Sequence, residues 1–232
     1  MLDFSRFSVL TFDCYGTMID WETGIFSALR PILAAHNKQI TDSVLLEMYS
    51  ELELAAEQQQ DFLNYSQVLA SVVRGFGGRL GFRPTEQEVH SLAQSIQNWQ
   101  PFPDTAAALR RLQTRYQLAV ISNIDDDLFA STAPKLGVTF SHVITAQQAR
   151  CYKPCSRIFH LAQKRIGVGL GQWLHVGQSI YHDVIPAKSL GIATVWVNRP
   201  SPRAGAGATK AASGTPGLEV ASLAELSAAS EN

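Results

Sequence analysis

Residues 8–21 read SVLTFDCYGTMIDW. Val9, Leu10, Thr11 and Phe12 form a short, largely apolar run of strand-favouring character. Asp13 closes it, and Gly16 and Thr17 precede a helix-compatible segment. The run predicts a buried strand that delivers a carboxylate to its C-terminal tip, the end of an open α/β sheet where ligands bind. A carboxylate placed there can act as a covalent nucleophile. A plainer reading is a turn in which Asp13 accepts bonds from backbone N–H groups. The residues downstream separate the two.

The chain has 232 residues, 46% of them hydrophobic, and a net charge of −1. That is enough to bury a large core, with room for a smaller inserted unit. Without a basic run, the composition excludes non-specific nucleic-acid binding, which needs many phosphate-neutralising side chains. No run approaches the ~20 apolar residues that span a membrane, and MLDFSRFS at the start holds no apolar signal core. Cys14, Cys151 and Cys155 form no CxxC pair and no zinc-site spacing. An odd count without a framework suits a reducing compartment, so the expected location is the cytoplasm.

From Asp20 to Trp99 the pattern is helical throughout. Ile25, Leu29, Ile32 and Leu33 recur at helical spacing, with Pro31 expected to kink or divide the segment. A further helical pattern runs from Thr41 to about Arg74. Leu45, Met48, Leu52, Ala55 and Ala56 form its apolar stripe, and Glu47, Glu51, Glu53 and Glu57 lie mainly on the solvated side. Gly75, Gly77 and Gly78 are expected to break it. Thr85 and Glu88 make a capping box for the next helix. Trp21, Tyr49, Phe62 and Trp99 read as core aromatics or as the lining of an apolar pocket.

After Pro101 and Pro103, strand-like and helix-like segments alternate. Strands are expected at 118–121, 142–145, 173–176 and 193–197, with helices between them. Gly137, Gly167 and Gly191 stand as helix stops. This order implies a parallel sheet with helices on both faces. The Gly, Ala, Ser and Pro-rich stretch 200–217 reads as a flexible loop, and 218–226 as a short strand and helix.

Four strand ends therefore carry polar residues in a set order: Asp13 with Gly16 and Thr17, Ser122 with Asn123, Lys153 before Pro154, and Gly177 through Asp183. This resembles the haloacid dehalogenase superfamily over essentially the whole chain. The resemblance implies an α/β, Rossmann-like core at 1–18 and 100–232, and an all-helical cap domain at 19–99. Independently of any family, an ammonium at Lys153 would favour an ionised Asp13. Hydroxyl and N–H donors at Thr17, Ser122 and Asn123 would suit an anionic group.

Phosphatases of the superfamily carry a second aspartate two residues after the nucleophile, where this chain has Tyr15. Their fourth motif reads GDxxxxD, where this chain has GQSIYHD, with Gln178 for the first aspartate and Asp183 kept. A phenol is a poor acid–base group at neutral pH, and an amide is a weak ligand for magnesium. The L-2-haloacid dehalogenase branch, with DxYGT as its first motif, is the better resemblance. A halide is a stable anion and needs no proton to leave.

The resemblance implies Asp13 as nucleophile, Lys153 as its anchor and Asp183 for the hydrolytic water. It gives Tyr15, Thr17, Ser122, Asn123 and Ser179 to substrate binding. The branch's cap arginine has no counterpart in Glu47–Ser50, and Arg30 is the nearest candidate, against an ordinary solvated helix residue. The branch's tyrosine after the lysine is Phe159 here. No cofactor is expected. The expected partner is a small organic acid, with a homodimer left open. Two alternatives stand beside this reading: a phosphatase binding magnesium through Asp13 and Asp183, and a non-catalytic binding protein. His175 reads as a packed histidine and His182 as either packed or in the site. Asp125, Asp126 and Asp127 read as the negative first turn of a helix.

Overall fold

A computed structural model describes residues 2–200 and 207–231. Six strands form one parallel sheet: β1 (Val9–Phe12), β2 (Gln117–Ser122), β3 (His142–Thr145), β4 (Trp173–Gly177), β5 (Ala193–Val197) and β6 (Leu218–Val220). Their order is β3-β2-β1-β4-β5-β6. The chain thus winds outward from β1 in one direction, returns, and winds in the other. The switch falls between β1 and β4, where such sheets open a crevice at the strand ends. The α/β, Rossmann-like expectation holds.

The strands are apolar on both faces because both are covered. Val9, Ala119, Ile121, Ile144 and Trp173 pack with Ile158, Phe159 and Ala162 of α8 (Ser156–Ile166) and Ala187 of α9 (Ile185–Ser189). Leu10, Phe12, Leu118 and Val120 face the other way. They share a core with Leu109 and Leu112 of α5 (Thr105–Gln113) and Leu223 and Leu226 of α10 (Leu223–Ala229). Short helices α6 (Asp126–Thr132) and α7 (Ala146–Ala149) follow β2 and β3. The expected helix at 182–190 begins instead as a π-helical turn, Ile180–Val184.

Between β1 and β2 lie α1 (Trp21–Ala35), α2 (Asp42–Glu57), α3 (Tyr65–Leu80) and α4 (Glu86–Ser95). Several details differ from expectation. Helix α1 runs unbroken through Pro31. The pattern expected at 41–74 is two helices, separated at 58–64. Gly75, Gly77 and Gly78 do not stop α3, which continues to Leu80 and ends at Gly81 in the left-handed region, φ 69°. Gly75 is there for close packing, since a Cβ would stand 2.5 Å from Leu52 Cδ2. Ala55 is exposed rather than part of the apolar stripe. The capping box at Thr85 and Glu88 forms as expected. Of the loop expected at 200–217, residues 201–206 lie outside the described residues, and 207–217 contain neither helix nor strand.

Among the described residues no helix is long and apolar enough to cross a membrane.

Candidate active site

The parallel register sets the strand ends level. Phe12 stands opposite Val120 on one side and Val176 on the other. One residue on, the Asp13 backbone N–H donates to Val176 O at 2.9 Å. Asp13, Ser122 and Gly177 therefore end three neighbouring strands at the same edge of the sheet. The loop after β3 adds Lys153, and the π-helical turn after β4 adds Asp183.

These residues meet. Lys153 Nζ donates to Asp13 Oδ1 at 2.8 Å, Asp183 Oδ1 at 2.6 Å and Ile121 O at 3.1 Å, which satisfies all three of its N–H groups. Thr17 Oγ1 donates to Asp13 Oδ2 at 2.7 Å and accepts from the Gln178 backbone N–H at 2.9 Å. Lys153 is 2% exposed and Asp183 1%. Burial alone would lower the Lys153 pKa, but the two carboxylates outweigh it and hold it above the usual lysine value. Burial would raise Asp183, yet Lys153 and His175 hold it well below the usual carboxylate range. Burial and the Asp183 charge push Asp13 up, against Lys153 and Thr17. Each oxygen of Asp13 nonetheless accepts from a fixed donor, the pattern that suits an ionised carboxylate.

Asp183 is held from three sides. Gly177 makes room for it, since a Cβ there would lie 2.4 Å from Asp183 Cγ. The Ser179 backbone N–H donates to Asp183 Oδ2 at 3.2 Å. His175 Nε2 lies 3.1 Å from Asp183 Oδ1, and its Nδ1 lies 2.8 Å from Thr11 Oγ1. Trp173 Nε1 donates to that same Thr11 oxygen at 2.7 Å. The Asp183 carboxylate can only accept, so the ring N–H that faces it stands on Nε2, and the Thr11 hydroxyl, which takes the indole N–H on one lone pair, has its own proton to give to His175 Nδ1. The packed histidine thus also donates to Asp183.

Asn123 and Ser179 act mainly on their neighbours. Asn123 Oδ1 accepts from the Lys153 N–H at 2.7 Å and its amide donates to Lys153 O at 3.3 Å, clamping the lysine loop. Ser179 Oγ accepts from the His182 N–H at 2.9 Å. Ser122 is different. It is 1% exposed, and its hydroxyl has no hydrogen-bond partner among the described residues. Tyr15 directs its hydroxyl to Thr132 Oγ1 at 2.9 Å, and burial pushes its pKa well above the usual phenol value. Asp13, Tyr15, Ser122, Asn123, Lys153 and Asp183 all line one cavity of about 50 Å³.

Two expectations fail. Arg30 does not line that cavity. Its guanidinium pairs with Asp42 and donates to Ile40 O at 2.7 Å, because the turn between α1 and α2 brings both acceptors to it. Glu53 and Glu57 are not on the solvated side: both line the cavity, with Trp21 and Tyr65. Glu53 accepts from Tyr49 at 2.9 Å and Tyr65 at 2.6 Å. Burial raises its pKa to about 7, against those two bonds, and raises Glu57 as well. Tyr49, Glu53 and Glu57 recur every fourth residue, so the inward stripe of α2 was visible in the spacing. The carboxylates disguised it. Tyr49 and Trp99 are core residues. Phe62 stacks on Tyr152 at 5.2 Å beside a second cavity of about 230 Å³ that also touches Glu57 and Lys153. Phe159 packs edge-on against His175 at 5.1 Å. His182 lines the first cavity, and burial lowers its pKa to about 4, so it is neutral at pH 7.

Magnesium takes oxygen ligands with free lone pairs. Here Lys153 Nζ stands between Asp13 and Asp183, His175 holds Asp183, and Gln178 Oε1 accepts from Thr209 at 3.0 Å. Among the described residues no three His, Cys, Asp or Glu side chains gather so as to hold a metal ion. The donor set does not fit a magnesium site.

Residues 7–191 match the family of haloacid dehalogenase-like hydrolases, and the chain belongs to that family. It is 27% identical over 195 residues to the (S)-2-haloacid dehalogenase H-109 of Pseudomonas putida, covering 82% of this chain and 85% of that protein. It is 25% identical over 199 residues to the haloacetate dehalogenase H-2 of a Moraxella species, covering 84% and 87%. In fold it is similar to the L-2-haloacid dehalogenase of Xanthobacter autotrophicus with chloropropionic acid covalently bound. That likeness has a TM-score of 0.81 and 21% identity, and it covers 97% of this chain and 99% of the other.

Proposed function

We propose that this protein hydrolyses the carbon–halogen bond of small 2-haloacids, with Asp13 as nucleophile. One observation carries the choice of leaving group. The position that would supply a proton is Tyr15, whose hydroxyl is turned to Thr132 and whose pKa burial raises further. A leaving group that departs without a proton fits this site, and halide is such a group. The relatives named for 2-haloacids and haloacetate support the same substrate class.

An Asp13 oxygen attacks the halogen-bearing carbon, the carbon–halogen pair leaves as halide, and an ester forms. Lys153 holds Oδ1 at 2.8 Å, which suits Oδ1 as the ester carbonyl and Oδ2 as the attacking atom. Asp183 keeps the ammonium in place once Asp13 has lost its charge. Lys153 then stabilises the oxyanion as water attacks Asp13 Cγ. One proton of that water passes to the departing alkoxide oxygen, which leaves as the hydroxyacid, the other is released to solvent, and the Asp13 carboxylate is restored. Asp183, held well below the usual carboxylate range, is better suited to positioning Lys153 and the water than to taking a proton. The unpartnered Ser122 hydroxyl suits the substrate carboxylate. Thr17, Asn123 and Ser179 hold Asp13, Lys153 and the Asp183 turn in place.

The proposal includes the division into a core at 1–18 and 100–232 and a cap at 19–99. It also includes a cytoplasmic location, which three free cysteines support. No cofactor has a step in it.

The test is halide release from chloroacetate and L-2-chloropropionate, with and without EDTA, beside hydrolysis of p-nitrophenyl phosphate. EDTA-insensitive halide release that vanishes in Asp13→Asn is expected. Phosphate release that needs magnesium, with no halide release, would overturn the reading.

A further inference from the structure

The cavity is lined by four carboxylates, Asp13, Glu53, Glu57 and Asp183, and by the single ammonium of Lys153. That ammonium is already spent on Asp13 and Asp183. Among the described residues no lysine or arginine pairs with Glu53 or Glu57. The two glutamates are one turn apart on the same face of α2, where like charges repel. Tyr49 and Tyr65 supply Glu53 with neutral donors only, and Asn123 reaches Glu57 at 3.5 Å, where the Lys153 charge acts from a distance without pairing. Arg150 and Arg157 face the neighbouring cavity. There Arg150 lies over the Phe62 ring and Arg157 donates to Arg150 O.

Glu53 is buried and Glu57 half-buried, and carboxylates withdrawn from water without a paired cation are costly; the common remedies are a cation or a proton. Here the helical side of the cavity offers acceptors that a cation from outside would satisfy. A second, independent feature points to a ligand. The Ser122 hydroxyl, buried on the sheet side of the same cavity, has a proton to donate and no acceptor among the described residues. One side of the cavity thus offers a donor to an anion, and the other offers carboxylates to a cation.

We propose that the preferred substrate is a small 2-haloacid carrying an ammonium group, its carboxylate facing Ser122 and its ammonium facing Glu53 and Glu57. This rests on Asp13 as the halide-displacing nucleophile and adds what the far end of the substrate is. The chemistry at C2 is unchanged: one carbon–oxygen bond forms, one carbon–halogen bond breaks, and the ammonium keeps its protons.

The test pairs 3-amino-2-chloropropionate with 2-chlorobutyrate at pH 7.5, since they differ by NH3+ against CH3. Asp13→Asn serves as the blank for spontaneous halide loss. The expected result is a kcat/KM about tenfold or more higher for the amino substrate, the size of preference a site built for a polar group shows. The ratio should fall toward one in Glu57→Gln, and Glu53→Gln serves as a second variant. Equal or faster release from 2-chlorobutyrate, or a ratio unmoved by Glu57→Gln, overturns the proposal. Binding without turnover separates this from the halide reading. β-Alanine should raise the melting temperature more than butyrate does in the native protein, and not in Glu57→Gln. If β-alanine shows that preference but no haloacid releases halide, the halide reading fails while the cation site stands. If neither occurs, both fail.

Discussion

The ammonium of Lys153 donates to Asp13 Oδ1 at 2.8 Å, joining residues 140 positions apart in the chain. Because Asp183 shares the same ammonium at 2.6 Å, removing Lys153 strands two buried carboxylates at once. Lys153→Met should cost about 3–5 kcal/mol of stability at pH 7, the range for breaking a buried ion pair by deleting one partner. Asp183 has its pKa held well below the ordinary value of 3.8 in the folded state, so its stabilising effect is full above 3.8 and is lost only as pH falls below it. The gap between native protein and variant should therefore narrow on acidification. Urea unfolding at pH 7 and at about pH 2.5, below the ordinary aspartate value of 3.8, measures it. A gap that stays constant would mean that the pair is not ionised. Halide release in Lys153→Met should fall by about 10²-fold or more, the effect of losing an oxyanion donor.

A hydrogen-bond chain, Trp173 to Thr11 to His175 to Asp183, fixes the histidine's proton on Nε2. Thr11→Val keeps the shape but leaves the buried indole N–H without an acceptor, at a cost of about 1–3 kcal/mol. It also frees the ring to place its proton on Nδ1, which would deprive Asp183 of a donor. We expect kcat to fall several-fold with KM little changed. Ring-nitrogen NMR shifts of His175 should report a mixture of tautomers. A single Nε2–H tautomer in Thr11→Val would remove Thr11 from this role.

Much of this was legible in the sequence. Asp13, Thr17, Lys153 and Asp183 each follow a strand-like run, and a parallel sheet has only one edge at which such residues can meet. Helix stops at Gly137 and Gly167, both left-handed, follow from chemistry that only glycine satisfies cheaply. Less legible were features that depend on which face of a helix looks inward. A glutamate ordinarily argues for solvent, so Glu53 and Glu57 read as outward although they continue the stripe from Tyr49. Arg30 fitted a helix near the site, yet its nearest acceptors, Ile40 O and Asp42, lie across a turn that composition does not place. The glycines at 75–78 looked like breakers because packing contacts such as Gly75 on Leu52 are long-range.

Glu53 makes stability depend on pH in the opposite sense to Asp183. Its folded pKa of about 7 lies above the ordinary glutamate value of 4.5, so the folded state holds a proton that the unfolded state has released. The contribution is full below pH 4.5 and is lost as pH rises through about 7. Glu53→Gln cannot ionise and should gain relative to the native protein as pH rises from 5 to 8. Melting temperatures across that interval test it. Parallel curves for the two proteins would show that Glu53 titrates like a solvated glutamate.

Asp125 joins the helical insertion to the sheet. Its two carboxylate oxygens accept from the backbone N–H groups of Tyr65 at 2.8 Å and Ser66 at 2.9 Å. These are first-turn N–H groups of α3, which have no partner within the helix. An acidic residue after β2 thus caps a helix some 60 positions earlier in the chain. Asp125→Ala should cost about 0.5–2 kcal/mol, the usual price of a lost cap. Tyr65 also donates to Glu53, so the loosened N-terminus should raise KM for haloacids more than it lowers kcat. Amide exchange at Tyr65 and Ser66 should accelerate ahead of the rest of α3. Asp127→Ala is the control: Asp127 is exposed and, among the described residues, accepts only from the adjacent Leu128 N–H, so it should change stability by less than about 0.5 kcal/mol. Equal effects from the two variants would show that the bonds from Tyr65 and Ser66 to Asp125 do not hold the insertion in place.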